Sequence, residues 1–315
     1  MIWVTWRQQR TETLIAALLL GLVVALLVPT GLHIASVYDS EGIAACVAKP
    51  SLDCGGQLDQ FVSRWDSLVN AVGWLNLVPA LIGSLVAMPL VLEFERGTFR
   101  LAWTQSVTRD RWLAIRIALI VGTCVAAAAL LTGLMTWWRG PLDDVNGRFD
   151  GFDFEGLVPF AYTLFAAALV VALGVVLRRS AAAVGLAFVT FIALRVGIAT
   201  WARPHYLAPL HETSTTGPAG LALRNAWVFT ERGDLRTAAG TPVDPLAVRG
   251  CLTDPGAKRL DNACLDRHGI VETLTATYQP GSRFWLFQAI EAGMFAALTL
   301  ALLAFAVWWI RKRIS

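Results

Sequence analysis

Arg195 and Glu291 are ionisable residues set inside apolar runs, where a charge costs about 2.5–3.5 kcal/mol even by the most lenient measure. Counting 1.5 Å per residue from the ends of those runs puts both roughly 10 Å below the same surface. The chemistry they point to is an ion pair between neighbouring helices, which either fixes helix register or lines a polar path. A second set of residues can do redox or metal chemistry. Cys46 and Cys54 lie close together, as do Cys251 and Cys264, while Cys124 stands alone in an apolar run. Two close pairs suit disulfide stapling of outer loops; pairing within each loop is simplest, although four cysteines allow three connectivities. Zinc is the weaker reading, since neither spacing is a C-x-x-C knuckle. His205, His211, Glu212 and His268 could ligate the metal of an extracytoplasmic membrane enzyme, but no H-E-x-x-H spacing supports this, and lone histidines in polar loops are usually solvated. No residue is assigned to a metal.

These side chains must be positioned by a membrane-embedded fold. The chain has 315 residues, of which 56% are hydrophobic and 16% charged, with a mean hydropathy of +0.57; that lies far outside the range of a soluble domain. Six runs are long enough to cross a ~30 Å hydrocarbon core as helices: 13–32, 69–92, 117–138, 158–177, 181–201 and 284–310. Only Arg178, Arg179 and Ser180 separate the fourth from the fifth, so those two are expected to form a tight antiparallel hairpin. Pro29, Pro79 and Pro89 predict kinks. Ala80, Gly83, Ser84 and Ala87 give the second run a small-residue face for close packing.

Lys and Arg are retained on the cytoplasmic side of short connections. With the N-terminus inside, the inner segments hold twelve of them and the short outer loops only Lys49, Arg64, Arg139 and Arg148. Both termini are therefore expected in the cytoplasm, and the net charge of +3 reflects topology; no basic cluster with interleaved aromatics suggests nucleic acid. Residues 1–12, with Trp3, Trp6, Arg7 and Arg10, suit an interfacial elbow rather than a cleaved signal peptide. Residues 13–200 hold the first five spans, 201–283 a small extracytoplasmic domain, and 284–315 the last span with a basic tail. Within that domain, AWVFTERGDLRTAAGTPVDP reads as short strands broken at Arg232-Gly233-Asp234 and at Ala239-Gly240. Too small to bury a large core, the domain is expected to lean on a partner copy or on the first outer loop. GPLDDVNGRFDGFDFEG, between the third and fourth spans, reads as a solvated loop with interfacial phenylalanines.

The polar segment 93–116, EFERGTFRLAWTQSVTRDRWLAIR, lies between two apolar runs. Glu93 and Glu95 close the second span, Gly97 breaks the helix and Thr98 is a fitting N-cap for another. Phe99, Ala102, Trp103 and Val107 then share one face, while Arg100, Thr104 and Gln105 face away, so a short amphipathic helix along the membrane surface is expected.

Glu95-Arg96-Gly97-Thr98, Leu101-Ala102-Trp103-Thr104, Ser106-Val107-Thr108-Arg109 and Arg116 resemble the pattern found at this place in the permease subunits of ABC-2 exporters; IWVTWRQQR and YQPGSRFW are similar to one subgroup of them. Gln105-Ser106 stands where the family commonly has proline, and a large outer loop replaces its short re-entrant hairpin. The resemblance implies an all-α integral membrane protein, a six-helix ABC-2 (type V exporter-like) permease of the plasma membrane with a small extracytoplasmic insertion. It also implies a separate ABC ATPase subunit docking around Glu95, Gly97, Thr98, Arg100, Trp103 and Arg109, a second permease copy or paralogue forming a dimer, and contact with membrane lipid. ATP and Mg²⁺ would sit on the ATPase; no cofactor is expected in this chain, which contains no G-x-x-x-x-G-K-[ST] loop and is not expected to be an enzyme. An apolar, tryptophan-rich bundle suits an amphipathic small molecule, peptide or lipid as cargo. A non-transporting membrane sensor or assembly factor is the alternative, because fold does not fix activity.

Overall fold

The computed structural model describes residues 10–49, 54–98, 108–214, 223, 225–237, 240–244, 248, 250–251 and 262–313. Its helices are α1 (Arg10–Ser40), α2 (Ile43–Ala48), α3 (Gly55–Val72), α4 (Val78–Arg96), α5 (Arg109–Asn146), α6 (Val158–Leu177), α7 (Ser180–Gly197), α8 (Asn262–Arg267) and α9 (Phe284–Arg313). Three strands, β1 (Leu210–Ser214), β2 (Trp227–Thr237) and β3 (Ile270–Gln279), lie between α7 and α9. Among the described residues, six helical stretches are long and apolar enough to cross a membrane: Ala17–Ser40, Gly56–Arg96, Arg109–Asn146, Val158–Leu177, Ser180–His205 and Gly281–Arg313. Exposed Trp285 and Trp308 mark the two ends of α9, about 35 Å apart at 1.5 Å per residue, which matches a hydrocarbon core with an indole at each interface.

α6 is the axis of the bundle. It is apolar on every side and largely buried, with α4, α5, α7 and α9 packed around it, as expected of a helix without a polar stripe. Small residues let its neighbours approach, because in lipid close van der Waals packing replaces the hydrophobic effect as the driving force. A Cβ on Gly83 of α4 would run into the α6 backbone at Thr163 and Ala167, and one on Gly174 of α6 would run into Val91. Arg178, left-handed at φ 51°, ends α6 and turns the chain directly into α7, forming the expected hairpin.

Elsewhere the helices depart from the apolar runs. α1 and α5 continue past the expected ends, Leu32 and Trp138, because their added turns have their own packing partner, α3. Leu58, Phe61, Trp65 and Val72 recur on one buried face of α3, while Asp59, Arg64 and Asp66 face out. Trp65 meets His33 edge-on, Phe61 meets Tyr38, and Tyr38 donates to Asp144 of α5 at 3.2 Å. Pro79 falls in the first turn of α4, where the missing N–H costs nothing, so the expected kink is a helix start instead.

The strands form one antiparallel sheet in the order β1-β3-β2. β2 runs through Arg232-Gly233-Asp234 without a break, since pairing with β3 from Trp227↔Gln279 to Thr237↔Ile270 supplies backbone bonds that a local turn would forgo. The turn comes at Gly240, φ 83°. The sheet leans on the α5–α6 connection and on α9, where Trp227 stacks on Phe149 and meets Phe287 edge-on. Cys46 is bonded to Cys54 and Cys251 to Cys264, with Cα separations of 5.6 and 5.4 Å; Cys124 is free and buried.

Replacing Gly83 with Leu should lower the stability of the detergent-solubilised protein by at least ~1–3 kcal/mol, read as a drop in melting temperature. An unchanged melt would mean that α4 and α6 are not in backbone contact.

Candidate functional site

Glu291 is fully buried on α9. Arg203 holds it from two positions, Nε donating to Oε2 at 2.9 Å and a terminal nitrogen to Oε1 at 2.8 Å. Tyr162 of α6 and Tyr206 donate to the same carboxylate at 2.5 and 3.0 Å. Four neutral or cationic donors on one carboxylate are the compensation a buried charge requires. The cluster then extends through Asp153, whose carboxylate accepts from Arg203 at 2.6 Å and pairs with Arg195 at 3.0 Å. Arg195 lies over the Tyr162 ring and Arg203 over that of Phe152, at 5.1 and 4.1 Å from the centroids.

The expected Arg195–Glu291 pair is therefore corrected: Arg203 is the cation on Glu291, and Arg195 reaches the cluster through Asp153. The reason is local. The helical path continues past Gly197 through a π turn, Ile198–Ala202, and a 3-10 turn, Arg203–His205, which brings Arg203 to Glu291. Arg203 lies beyond the apolar run that ends at Trp201, so apolar length alone gives it to the 201–283 domain.

The 147–157 connection, expected to be solvated, is instead a plug. Phe152 and Glu155 are buried, Phe154 nearly so; Asp153 is answered by the two arginines of the fifth span, Glu155 by Arg148 at 3.0 Å, and Asp143, at the end of α5, by Arg139 at 3.0 Å. Gln288, which sequence reasoning passed over, fastens this plug. Its Oε1 accepts from the backbone N–H groups of Leu157 and Val158, both at 3.0 Å, capping α6, while Nε2 donates to the Phe152 carbonyl at 2.7 Å. The available signal was its spacing of three residues from Glu291, which places both on one helix face. Burial alone would raise the Asp153 carboxyl, but the guanidinium groups of Arg203 and Arg195 outweigh it and hold the pKa below the ordinary aspartate value.

At the opposite end of the bundle, Glu93 and Arg116 form a largely buried ion pair between α4 and α5. Trp112 lies beside it, edge-on to Phe94 and under Arg116. Glu95 is exposed, and one of its oxygens accepts from the Ser180 N–H at 2.9 Å, so it caps α7. Gly97, φ 70°, ends α4, and the Thr98 hydroxyl donates back to the Glu93 carbonyl at 3.5 Å. Arg109 opens α5. Arg100, Trp103 and the expected amphipathic helix lie outside the described residues, as do the elbow residues Trp3, Trp6 and Arg7.

The loop histidines are engaged separately. His205 Nδ1 is 2.6 Å from the Trp201 carbonyl, His211 Nδ1 is 2.9 Å from Thr277 Oγ1, and Glu212 accepts from Tyr278. Cys251, Cys264 and His268 do bring ligand atoms within 4.8 Å of one another, but the two sulfurs are joined in a disulfide and are not thiolate ligands.

Arg203→Ala should cost about 3–5 kcal/mol, because it strands a buried carboxylate; Arg195→Ala should cost less, and Arg203→Met with Glu291→Leu should recover most of the loss. Equal costs for the two arginines would place the main counter-ion of Glu291 elsewhere. The lowered Asp153 pKa contributes stability that is present above the unfolded value of about 3.9 and lost as pH falls through the folded value. The difference in melting temperature between wild type and Asp153→Asn should hold from pH 7 to about 5 and close only below about 4.

No curated protein and no solved structure matches the chain. A family does: its description, ABC-2 membrane transporter related, matches residues 17–203. That stretch takes in α4, the Glu93–Arg116 tie, the plug and both arginines of the fifth span, and covers more than half of the chain. The chain therefore belongs to the ABC-2 membrane transporter related family.

Proposed function

We propose that this chain is the membrane-spanning permease subunit of an ABC exporter, moving an amphipathic small molecule, peptide or lipid across the plasma membrane with energy from a separate ATPase subunit. Both termini lie in the cytoplasm, and two permease chains, identical or paralogous, form the translocating unit. The observation that carries this reading is the bracing on either side of segment 99–107. Glu93–Arg116 joins α4 to α5, and Glu95 joins α4 to the start of α7.

A push on a segment held between α4 and α5 passes to three spans at once. Cytosolic force so delivered tilts helices, as switching between two packings requires. Glu95 contributes twice in this scheme: its exposed side faces the ATPase, while its inward oxygen fixes the α6–α7 turn. At the outer end, the charged cluster joins α6, α7, α9 and the plug, so those spans respond together.

Purification of the tagged protein from its host in mild detergent should recover a cytosolic Walker-type ATPase and measurable ATP hydrolysis. Glu95→Arg combined with Arg109→Glu should abolish recovery while leaving the permease folded. A folded permease that retains no nucleotide-hydrolysing partner would overturn the transporter reading in favour of a sensor or assembly factor.

A further inference from the structure

β2 forms one edge of the sheet, paired with β3 along one side. On its other side, among the described residues, the chain returns just at the far end, where the Val243 N–H donates to the Leu235 carbonyl at 2.7 Å and the Thr237 N–H to the Thr241 carbonyl at 2.9 Å. Those two bonds fix which backbone groups point away from β3. Strand geometry alternates, so the N–H and C=O of Glu231 and Gly233 share the outward direction of Leu235 and Thr237. Residues Thr230 to Asp234 are all exposed, and this length of edge stands clear of the described chain. Side chains alternate too. Leu235 packs on the small core around Val248, Cys251, Cys264 and Leu265, so the opposite face carries Thr230, Arg232, Asp234 and Arg236. A glycine inside a strand forgoes packing, and one role that keeps it there is the close approach of another backbone. Gly233 sits between Arg232 and Asp234, a run of charges that is its own complement when turned end for end.

We infer that β2 pairs antiparallel with β2 of a second copy of this chain, about a two-fold axis through Gly233, joining two three-stranded sheets into one. The two Gly233 residues exchange N–H···O bonds as a hydrogen-bonded pair. Arg232 then lies opposite the partner's Asp234, and Asp234 opposite the partner's Arg232, two cross-strand ion pairs on one face. An edge charged merely to repel other strands is served by one sign, commonly lysine. Here opposite signs stand in the order that a second copy matches. The contact is too short to hold a dimer alone, since a stable interface buries about 1,200–2,000 Å²; it sets the register in which the spans of two copies meet. This inference rests on the pairing of two permease chains proposed above, but not on ATPase docking or on cargo.

The test oxidises full-length Gly233→Cys in native membranes with copper phenanthroline. Opposed hydrogen-bonded residues have Cα atoms about 5.5 Å apart, inside the roughly 4.4–6.8 Å span of a disulfide, so a dimer band removed by reductant should form. Co-expressed Arg232→Cys and Asp234→Cys chains, whose Cα atoms would lie about 4.5 Å apart as a non-hydrogen-bonded pair, should cross-link too and leave the glycine in place. Thr213→Cys, on the opposite edge of the sheet, should give no dimer band. Adding Arg232→Asp to Gly233→Cys sets like charges against each other and should slow cross-linking about fivefold. Adding Asp234→Arg as well restores complementary signs and should restore the rate. Native mass spectrometry in mild detergent reports whether chains are paired, and melting temperature whether each variant is folded. A dimer by mass without either cross-link, equal cross-linking by Thr213→Cys, or no rescue by the double reversal would overturn the proposal while leaving the two-chain reading intact. So would a dimer formed with a paralogue alone. A folded chain that is monomeric throughout would overturn both.

Discussion

A carboxylate with no solvent exposure at all, Glu291, sets the terms for the half of this molecule that carries the sheet. Placed in an apolar bundle, it must be surrounded by donors, and those donors come from different parts of the chain: Arg203 and Tyr206 beyond the fifth span, and Tyr162 on the central helix. Meeting that demand draws in the rest. Arg203 carries more donors than Glu291 alone uses, and the surplus engages Asp153; Asp153 in turn recruits Arg195. The connection that carries Asp153 is thereby pulled into the bundle and covered, which buries Glu155 and brings Arg148 over it. Two arginines and two carboxylates cancel within the cluster, so the membrane sees a polar but neutral knot.

The two ends of the bundle use the same physics for different ends. At the end that carries the sheet the ionic contacts join four segments through shared atoms, so no one pair can be separated without disturbing the next. At the basic end the ties are separate: Glu93 with Arg116, Glu95 with Ser180, Asp110 with Arg311. Each links a different pair of helices. A connected network resists shear, whereas independent struts allow neighbours to pivot, so the sheet end suits a fulcrum and the basic end a set of levers.

Much of the architecture was legible in the residues. Apolar length alone marks six spans, the Arg178-Arg179 interruption marks a hairpin, and paired cysteines mark two staples. What escaped reading is equally physical. The 147–157 plug is acidic and glycine-bearing, and its burial depends on arginines distant in sequence, which no local pattern reports. Arg203 lies just past the apolar run that ends at Trp201, so apolar length assigns it to the following loop although the helical path continues to His205. β2 crosses Arg232-Gly233-Asp234 because a long-range partner outweighs a local turn signal. Glu95 was legible as a surface residue of segment 93–116, yet its bond to Ser180, 85 positions away, was not.

The separation of Arg203 from Glu291, 88 positions along the chain, also orders events at the ribosome. At 5–20 residues per second, the fifth span is complete roughly 4–18 s before its principal anion is synthesised. In that interval Asp153 is the carboxylate within reach of both arginines, and the neutral knot carries a surplus positive charge. The last span therefore brings the carboxylate that balances the second guanidinium only after every other member of the cluster has been made. Synthesis of this cluster ends, rather than begins, with its most buried charge.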